Sequence, residues 1–410
     1  MGRSNTVGVS HNWRIVLVFL MSPAVLAAGE PRPLPEWTPW DLDVLRRVPE
    51  LKWSEENKPV KALTYRGLHY RGKPTSVFAY YASPADFGKT AGVSGSYPGM
   101  VLVHGGGGRA FERWVELWAR RGYAAIAMDL AGKASGGKRR LPDGGPGQGH
   151  REKFATIDEP VENQWSYHAV ANVVLAHSLL RSFEGVDADK IGLTGISWGS
   201  FLTCIAAALD SRFQFAMPVY GCGYLRDNSV WAKSEFGRMT PEQADKWHRL
   251  WDPASYLESV RIPMAFLNGT NDFAYPMDSY ARSCALVRTK KTYSIQLNMR
   301  HGHIFDFKEF FVLADHFLKA RPPLHIVGPP RVVGGMLRAE VESVTNLSSA
   351  RLHFTTGSHE NNRERAWTSR KLNLDGQGVS GLAAPGNATA WYIEVEDERG
   401  MIGSSPVTVK

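Results

Sequence analysis

One pentapeptide constrains the fold of this chain more than any other stretch. Gly195, Ser197 and Gly199 have the Gly-x-Ser-x-Gly spacing, and apolar runs precede and follow them. This arrangement predicts a short buried strand over 191–196, a sharp reversal at Ser197 and then an apolar helix. Glycines two residues before and after the serine let the strand and the helix close on each other. The Ser197 hydroxyl is therefore expected at the carboxyl end of a strand and at a helix N-terminus, open to substrate.

Strands and helices alternate along most of the chain. Two antiparallel strands are predicted at 63–70 and 76–82, and the later predicted strands are 99–104, 124–128, 191–196, 214–220, 263–267 and 293–299. Helices are predicted from about 111 to 118, after the elbow, and at 163–182, 277–287 and 307–319. This order favours an α/β fold, with a mostly parallel, doubly wound sheet covered on both faces. Ligands of such sheets bind at the carboxyl ends of the strands.

Two segments interrupt this alternation. Gly132 to Thr156 is rich in glycine and carries exposed basic residues, so it is expected to be a loop. It is either a solvated surface loop or, because it leaves the carboxyl end of a strand, one wall of a substrate cleft. Tyr224 to Leu257 contains three tryptophans and is predicted to form a small helical cap.

The amino-terminal segment has the pattern of a secretory signal. Arg3 and Arg14 precede the apolar run 15–21, and small residues suitable for cleavage follow at 24–28. Residues 1–28 are therefore predicted to be a signal peptide, and the processed protein is expected to be secreted or periplasmic, with no membrane span. Residues 29–60 are interpreted as a Pro-rich lead-in that packs on the surface.

The sequence pattern changes after residue 321. Residues 61–321 are expected to form the catalytic domain, whereas 322–410 show short alternating runs separated by turns. That pattern predicts a small C-terminal all-β sandwich domain. The sandwich either binds carbohydrate or covers the larger domain, and the structural role is slightly preferred.

Composition and charge narrow the function classes. The 410 residues are 43% hydrophobic and 21% charged, which is ordinary for a globular protein with a full core. The formal net charge of +8 is mild and its basic residues are scattered, so nucleic-acid binding is not expected. Cys204, Cys222 and Cys284 form neither a disulfide framework nor a metal site, and packing is their expected role. No metal is expected, and the oligomeric state is left open.

A serine hydroxyl needs a base, and the base needs an acid that holds its tautomer. Asp272 lies in the turn just after the predicted strand 263–267, whereas its rival Asp252 is expected to cap a helix of the insertion. His301 and His303 both follow the next predicted strand. His301 is the preferred base because its His-Gly pair suits a loop that returns the ring to the serine, and His303 would then line the site.

A glycine run supplies the other part of the expected site. His104 is followed by four glycines directly after the predicted strand 99–104. Glycine lets backbone amides approach a developing oxyanion closely. The expected oxyanion hole combines the amide of Trp198 with an amide of Gly106 or Gly107. A phosphate-binding loop is discounted, because the run lacks both the Lys-Ser/Thr ending and the Gly-x-Gly-x-x-Gly spacing.

Together, four stretches resemble the α/β-hydrolase superfamily: 104–108, 195–199, 268–273 and 301–303. The resemblance is closest to the branch of dienelactone hydrolases and acetyl-xylan-esterase-like enzymes, near the prolyl-oligopeptidase catalytic domain. It implies an α/β-hydrolase fold and carboxylester hydrolysis without a cofactor, with Ser197, Asp272 and His301 as the triad. Two departures matter: dienelactone hydrolases proper use a cysteine nucleophile, and too few residues precede His104 for the large propeller of prolyl oligopeptidases.

The expected function is that of an exported serine carboxylester hydrolase. Its substrate would be a small ester or an acylated carbohydrate, from which it would remove an acetyl or other short acyl group. By position, Tyr220, Phe273, Tyr275 and His303 are expected to line the substrate site. An exported serine peptidase of the prolyl-oligopeptidase type and a non-catalytic glycan-binding protein are the alternatives. Cleavage of peptidyl anilides would favour the first, and failure of a fluorophosphonate to label Ser197 would favour the second.

Overall fold

The structure, a computed structural model, describes residues 1–2, 30–91, 95–376 and 378–410. The predicted signal peptide lies outside the described residues from position 3 onward. In the part of the chain that is described, no helix combines the length and the apolar character needed to cross a bilayer.

A nine-stranded sheet forms the centre of the larger domain. Its strands are β1 (Leu51–Glu55), β2 (Lys61–Tyr70), β3 (Lys73–Ala82), β4 (Tyr97–Val103), β5 (Ala124–Met128), β6 (Val186–Ile196), β7 (Phe215–Val219), β8 (Met264–Gly269) and β9 (Lys291–Gln296). They lie in the order β1-β2-β3-β5-β4-β6-β7-β8-β9. The pairs from β5 to β9 are parallel, whereas β1, β2 and β3 pair antiparallel with their neighbours. The predicted mostly parallel sheet is confirmed.

The amino-terminal lead-in belongs to this sheet, contrary to the prediction for residues 29–60. β1 pairs with β2, with Leu51 opposite Tyr65, and a short helix α1 (Leu42–Arg46) precedes it. Trp40 and Leu45 are buried in the main core. The interpretation of a surface lead-in is therefore wrong for its second half. An edge strand buries few of its side chains, so β1 lacks the apolar pattern that marks the inner strands.

Helices cover both faces of the sheet. After α1 they are α2 (Glu112–Arg120), α3 (Trp165–Arg181), α4 (Trp198–Leu209), α5 (Leu225–Asn228), α6 (Trp231–Ser234), α7 (Pro241–Trp251), α8 (Met277–Leu286) and α9 (Lys308–Lys319). Successive residues of β4 point to opposite sides. Val101 and Val103 join the core that contains α3 and α4, whereas Met100 and Leu102 join the core that contains α2 and α9.

The second predicted insertion is helical, as expected. Helices α5, α6 and α7 form a cap over one end of the sheet, and the cap is anchored by buried tryptophans. Trp247 Nε1 donates to the carbonyl of Lys153 at 2.8 Å, and Trp251 Nε1 donates to Gln164 Oε1 at 2.8 Å. The cap is thus fastened to the glycine-rich loop and to the residue that precedes α3.

Two antiparallel sheets form the C-terminal domain. Its strands are β10 (Ile326–Val327), β11 (Arg331–Val333), β12 (Met336–Glu342), β13 (Leu347–Thr355), β14 (Thr368–Lys371), β15 (Asn373–Asp375), β16 (Gly378–Leu382), β17 (Ala390–Asp397), β18 (Ile402–Ser404) and β19 (Thr408–Val409). One sheet has the order β10-β12-β16-β15 with β11 beside β12, and the other has β14-β13-β17-β18 with β19 beside β17. Leu337, Leu352 and Val395 belong to the apolar layer between them. The predicted sandwich is confirmed.

The sandwich packs against the edge of the large sheet. The amide of Ile295 in β9 donates to Ser404 Oγ at 2.9 Å, and the amide of Ile402 donates to Glu309 Oε1 at 3.1 Å. Tyr392 of β17 is fully buried within the core of the larger domain. An uncovered edge strand would invite pairing with other chains, so the sandwich protects β9.

Candidate active site

The serine elbow has the predicted geometry. β6 ends at Ile196, α4 begins at Trp198, and Ser197 between them has φ 56° and ψ −120°. A positive φ at a residue with a side chain costs about 1–3 kcal/mol, so the surrounding structure must hold it. The Ser197 amide donates to the carbonyl of Val219 at 2.9 Å. A Cβ on Gly199 would lie 2.1 Å from the Val103 carbonyl oxygen, so only glycine fits there.

Three side chains from three loops form one hydrogen-bonded chain. His301 Nε2 lies 2.9 Å from Ser197 Oγ, and His301 Nδ1 lies 2.6 Å from Asp272 Oδ2. An ionised carboxylate only accepts, so Nδ1 carries the proton and Nε2 is free to accept the serine proton. The other oxygen, Asp272 Oδ1, accepts from the amides of Ala274 and Tyr275, both at 2.8 Å. These bonds fix the carboxylate, which in turn fixes the imidazole.

Of the two candidate bases, the structure places His301 beside the serine. No hydrogen bond in the described structure joins His303 to the serine, and its ring packs on Phe111 with centroids 4.9 Å apart. Burial lowers the pKa of His303, and the neighbouring His301 and Arg109 act in the same direction. His303 therefore stays mostly neutral and lines the cavity as a polar wall.

Aromatic rings surround the His301 imidazole. Tyr220 lies 4.4 Å from it between centroids, Phe273 lies 4.7 Å away edge-on, and Tyr275 is parallel at 6.3 Å. The Tyr220 hydroxyl donates to the carbonyl of Gly302. Burial raises the pKa of Tyr220 and of Tyr275, so both remain neutral. The rings restrict the orientation of the imidazole.

The predicted substrate-lining set is corrected in part by this arrangement. Phe273, about half exposed, and His303 do line the cavity. Tyr220 and Tyr275 do not, because both are fully buried and pack against the His301 ring instead. Positions near a strand end predict proximity to the site, but they do not predict which face of a ring is covered.

The glycine run follows β4 and lies against the elbow. His104 is buried, and its Nε2 accepts the amide of Leu130 at 3.0 Å, so Nδ1 donates to the Gly105 carbonyl at 2.8 Å. Burial lowers the pKa of His104 to about 3, so the ring is neutral. Its two hydrogen bonds connect the glycine run to the segment that follows β5. Gly106 and Gly107 line the cavity together with Trp198. Their amides remain the predicted oxyanion donors.

A cavity of about 510 Å³ opens beside the serine. Its lining residues are Gly106, Gly107, Gln148, His150, Lys153, Ile196, Ser197, Trp198, Trp231, Phe273, Ala274, His301, Gly302 and His303. Gln148, His150 and Lys153 come from the glycine-rich loop, so of its two readings the cleft wall is the one the structure bears out. Trp231 comes from the cap. The sequence by itself did not single out Gln148, His150, Lys153 or Trp231 as site residues. The signal that could have found them is that their segments follow the carboxyl ends of strands.

The C-terminal domain also reaches the site, which the sequence did not predict. Asn362 Nδ2 donates to the backbone carbonyl of Asp272 at 2.8 Å. Asn271 Nδ2, one residue earlier, donates to the carbonyls of Arg363 at 3.0 Å and Arg365 at 2.8 Å. The loop that carries the acid is thus held by the sandwich from outside the hydrolase domain.

The remaining candidates have structural surroundings. Asp252 is fully buried and accepts from the amides of Tyr224, Leu225 and Ala254, so it caps backbone in the insertion as expected. The three cysteines, Cys204, Cys222 and Cys284, are free and buried. Burial raises the pKa of each thiol, which agrees with packing.

Comparison with known proteins finds sequence similarity over part of the chain. Residues 141–315 match the family described as the prolyl oligopeptidase family. An uncharacterized peptidase, YuxL of Bacillus subtilis (strain 168), is 22% identical over 199 residues, which are 45% of this chain. The chain spans only 27% of the length of that relative.

Two solved structures share the overall architecture. An acetyl xylan esterase from a Paenibacillus species superposes with a TM-score of 0.54 at 21% identity, covering 73% of this chain and 99% of the other. Acetyl xylan esterase 1 from a Thermoanaerobacterium species gives a TM-score of 0.51 at 19% identity, covering 70% and 94%. These likenesses, with the family match, confirm the α/β-hydrolase fold and the resemblance to that superfamily.

Proposed function

We propose that this α/β-hydrolase is an exported serine carboxylester hydrolase that removes acetyl or other short acyl groups from carbohydrate. The observation that carries the proposal is the chain Ser197 Oγ to His301 Nε2 at 2.9 Å and His301 Nδ1 to Asp272 Oδ2 at 2.6 Å. It opens onto a cavity of about 510 Å³. A nucleophile, a base and an orienting acid in hydrogen-bonding reach are the requirements for acyl transfer.

In the proposed reaction His301 takes the hydroxyl proton as Ser197 Oγ attacks the ester carbonyl carbon. The amides of Trp198 and of Gly106 or Gly107 stabilise the negative charge that develops on the carbonyl oxygen. The carbon–oxygen bond to the alcohol then breaks, and the alcohol leaves with the proton from Nε2. Water attacks the acyl-serine by the same route, which releases the acid and restores the hydroxyl.

The extent of the structural likeness supports an ester substrate. The two acetyl xylan esterases are matched over 94% and 99% of their own chains, so this chain contains the counterpart of nearly all of each enzyme. The curated peptidase relative is matched over 27% of its length. The cavity of about 510 Å³ has room for an acyl group and part of the alcohol beside the serine.

A serine peptidase is the second candidate, because the matching family is described as that of prolyl oligopeptidase. Both candidates use the same triad, so substrate preference separates them. Purified wild-type protein and Ser197→Ala should be assayed on acetylated xylan, on 4-nitrophenyl esters of graded acyl length and on a peptidyl anilide. Acetate release that depends on Ser197, with little anilide cleavage, is the expected result. Faster cleavage of the anilide would replace the esterase proposal with the peptidase.

Export is the part of the proposal that depends on the amino-terminal pattern. Expression of the full chain in a bacterium, followed by mass spectrometry of the amino terminus, measures it directly. We expect cleavage near Ala28 and recovery from the periplasm or medium. An uncleaved protein in the cytoplasmic fraction would contradict export and leave the hydrolase proposal intact.

A further inference from the structure

Lys153 is a buried cation at the active-site cavity. It lies in the turn 151–155 of the glycine-rich loop, and only 5% of its surface is exposed. It lines the same cavity as Ser197 and His301. Its Nζ lies 3.6 Å from the position that a Cβ on Gly106 would take, which places the ammonium next to the glycine run.

The ammonium has aromatic neighbours but no acceptor. Nζ lies 4.4 Å from the ring centroid of Trp198 and 5.4 Å from that of Trp165. Among the described residues, no hydrogen bond or ion pair involves Nζ. Indole faces stabilise a cation, but they replace none of the three hydrogen bonds that an ammonium makes in water. All three donor positions of the ammonium are therefore free for a ligand.

A second polar group of the same cavity is also without a partner. Gln148 lines the cavity five residues before Lys153, and its amide nitrogen and oxygen are both buried without a hydrogen-bond partner in the described structure. Leaving a donor and an acceptor unpaired is costly, and such groups in cavities are commonly satisfied by a ligand or by water. Gln148 and Lys153 are thus two polar side chains without partners that line the same cavity.

The charge balance of the cavity favours an anion. None of the described residues that line it is an aspartate or a glutamate, whereas Lys153 is a cation and three histidines, His150, His301 and His303, also line it. His150 is already bonded to Glu235 at 2.9 Å and is exposed, so Lys153 is the unneutralised charge. An anionic group of the ligand would give the ammonium a directly bonded counter-charge, which no residue of the described structure supplies.

From this geometry we infer that Lys153 and Gln148 form a subsite for an anionic substituent of the substrate, a carboxylate or a group of like charge and size. The inference deepens the proposed function and rests on it: the substrate class becomes acyl esters that carry a negative charge close to the scissile bond. The charge is either on the acyl group or on the alcohol, as in an acylated uronic acid.

The titration of the lysine agrees with this reading. Burial lowers the pKa of Lys153 to about 7, and the nearby charge of Glu152 acts in the opposite direction. An ammonium that is only marginally charged when the cavity is empty becomes fully charged once an anion binds, because the opposite charge raises its pKa.

The test uses two pairs of esters and the full-length protein. The acyl arm compares 4-nitrophenyl hemisuccinate with its neutral methyl ester. The alcohol arm compares monoacetylated methyl glucuronoside with monoacetylated methyl glucoside. In each arm the selectivity is the ratio of kcat/KM for the anionic ester to kcat/KM for the neutral one. Comparing this ratio between variants cancels the difference in intrinsic reactivity between the two esters.

Lys153→Met should lower the selectivity in one arm by about tenfold to a hundredfold, which is the range for a hydrogen bond to a charged group. Lys153→Arg should restore much of it, and Gln148→Leu should lower it in the same arm. Lys138→Met, at an exposed position of the same loop, is the matched control and should keep the wild-type selectivity. The arm that responds identifies the part of the substrate that carries the charge.

Equal losses for both members of each pair would show that Lys153 only packs against the tryptophans, and would overturn the subsite. Unchanged kcat/KM values for all four esters would overturn it as well. If Lys153→Met does not fold, the selectivity ratios of Lys153→Arg and Gln148→Leu test the subsite in its place.

A turnover-independent measurement separates this inference from the proposed function. Calorimetric binding of methyl glucuronoside and of succinamate is compared with that of methyl glucoside and succinamide, for wild-type protein and Lys153→Met. Tighter binding of either anion that is lost in Lys153→Met supports the subsite. Failure of a neutral fluorophosphonate to label Ser197 contradicts the hydrolase alone, whereas labelling without any anion preference contradicts the subsite alone.

Discussion

Replacing Asn362 by alanine tests whether the C-terminal sandwich positions the catalytic acid. Asn362 is buried, its Nδ2 donates to the carbonyl of Asp272 at 2.8 Å, and its Oδ1 accepts from the amide of Met277 at 3.5 Å. The first bond is short and joins two domains, whereas the second is at the limit of hydrogen-bond distance. The main effect should therefore come from the Asp272 carbonyl.

The size of the effect follows from that one bond. Leaving a buried carbonyl without its donor costs about 1–3 kcal/mol. The loop would move to reduce this cost, and the same loop carries the Asp272 carboxylate, which holds His301 at 2.6 Å. If about 1.4 kcal/mol of this cost is added to the activation free energy, kcat falls about tenfold. KM should change little, because Asn362 does not line the cavity.

The assay is steady-state hydrolysis of 4-nitrophenyl acetate at 25 °C, together with thermal unfolding. Asn362→Ala should lower kcat at a temperature where the protein is fully folded. Asn346→Ala is the matched control, since Asn346 bonds to Glu398 within the same sandwich and is exposed. An unchanged kcat in Asn362→Ala, or an equal loss in Asn346→Ala, would refute a positioning role and leave the sandwich as a cover for β9.

Three further predictions concern the elbow and a buried charge. Ser197→Ala should lower kcat for acyl esters by at least about 10⁴-fold with an unchanged melting temperature, and residual turnover close to wild type would reject the nucleophile. Gly199→Ala should destabilise the fold by about 3 kcal/mol or more in urea unfolding, because its Cβ would lie 2.1 Å from the Val103 carbonyl oxygen. Burial alone would raise the pKa of Asp210, but hydrogen bonds led by those of Arg212 outweigh it and hold the pKa below its usual value. A depressed carboxyl pKa stabilises the fold above the unfolded value near pH 4 and loses that contribution as the pH falls, so melting temperatures between pH 6 and pH 3 should fall more steeply for wild type than for Asp210→Asn.

The parts of the site that local sequence patterns describe were predictable. A strand, a serine between glycines and a helix determine the elbow at Ser197, since each is encoded within a few residues. Asp272 and His301 could be placed because parallel strands end at one edge of a sheet, so residues just after successive strands lie near each other. The sequence predicted that these three groups converge, and the structure supplied the hydrogen bonds between them.

Side-chain burial was less predictable. Tyr220 and Tyr275 follow strand ends as expected, yet both are buried against the His301 ring and do not line the cavity. β1 escaped notice because an edge strand needs little apolar surface. In each case the outcome depends on neighbours that are distant along the chain.

By itself, the sequence determined the order of the main-sheet strands after β1, the elbow serine with its acid and two candidate bases, and the presence of a β-rich C-terminal domain. Only the tertiary structure decided that Lys153 and Gln148 lie unpaired in the active-site cavity and that Asn362 holds the loop of Asp272 across 90 residues of chain. The physical reason is that periodicity and turn chemistry are local, whereas pairing of buried polar groups is decided by which segments the fold brings into contact.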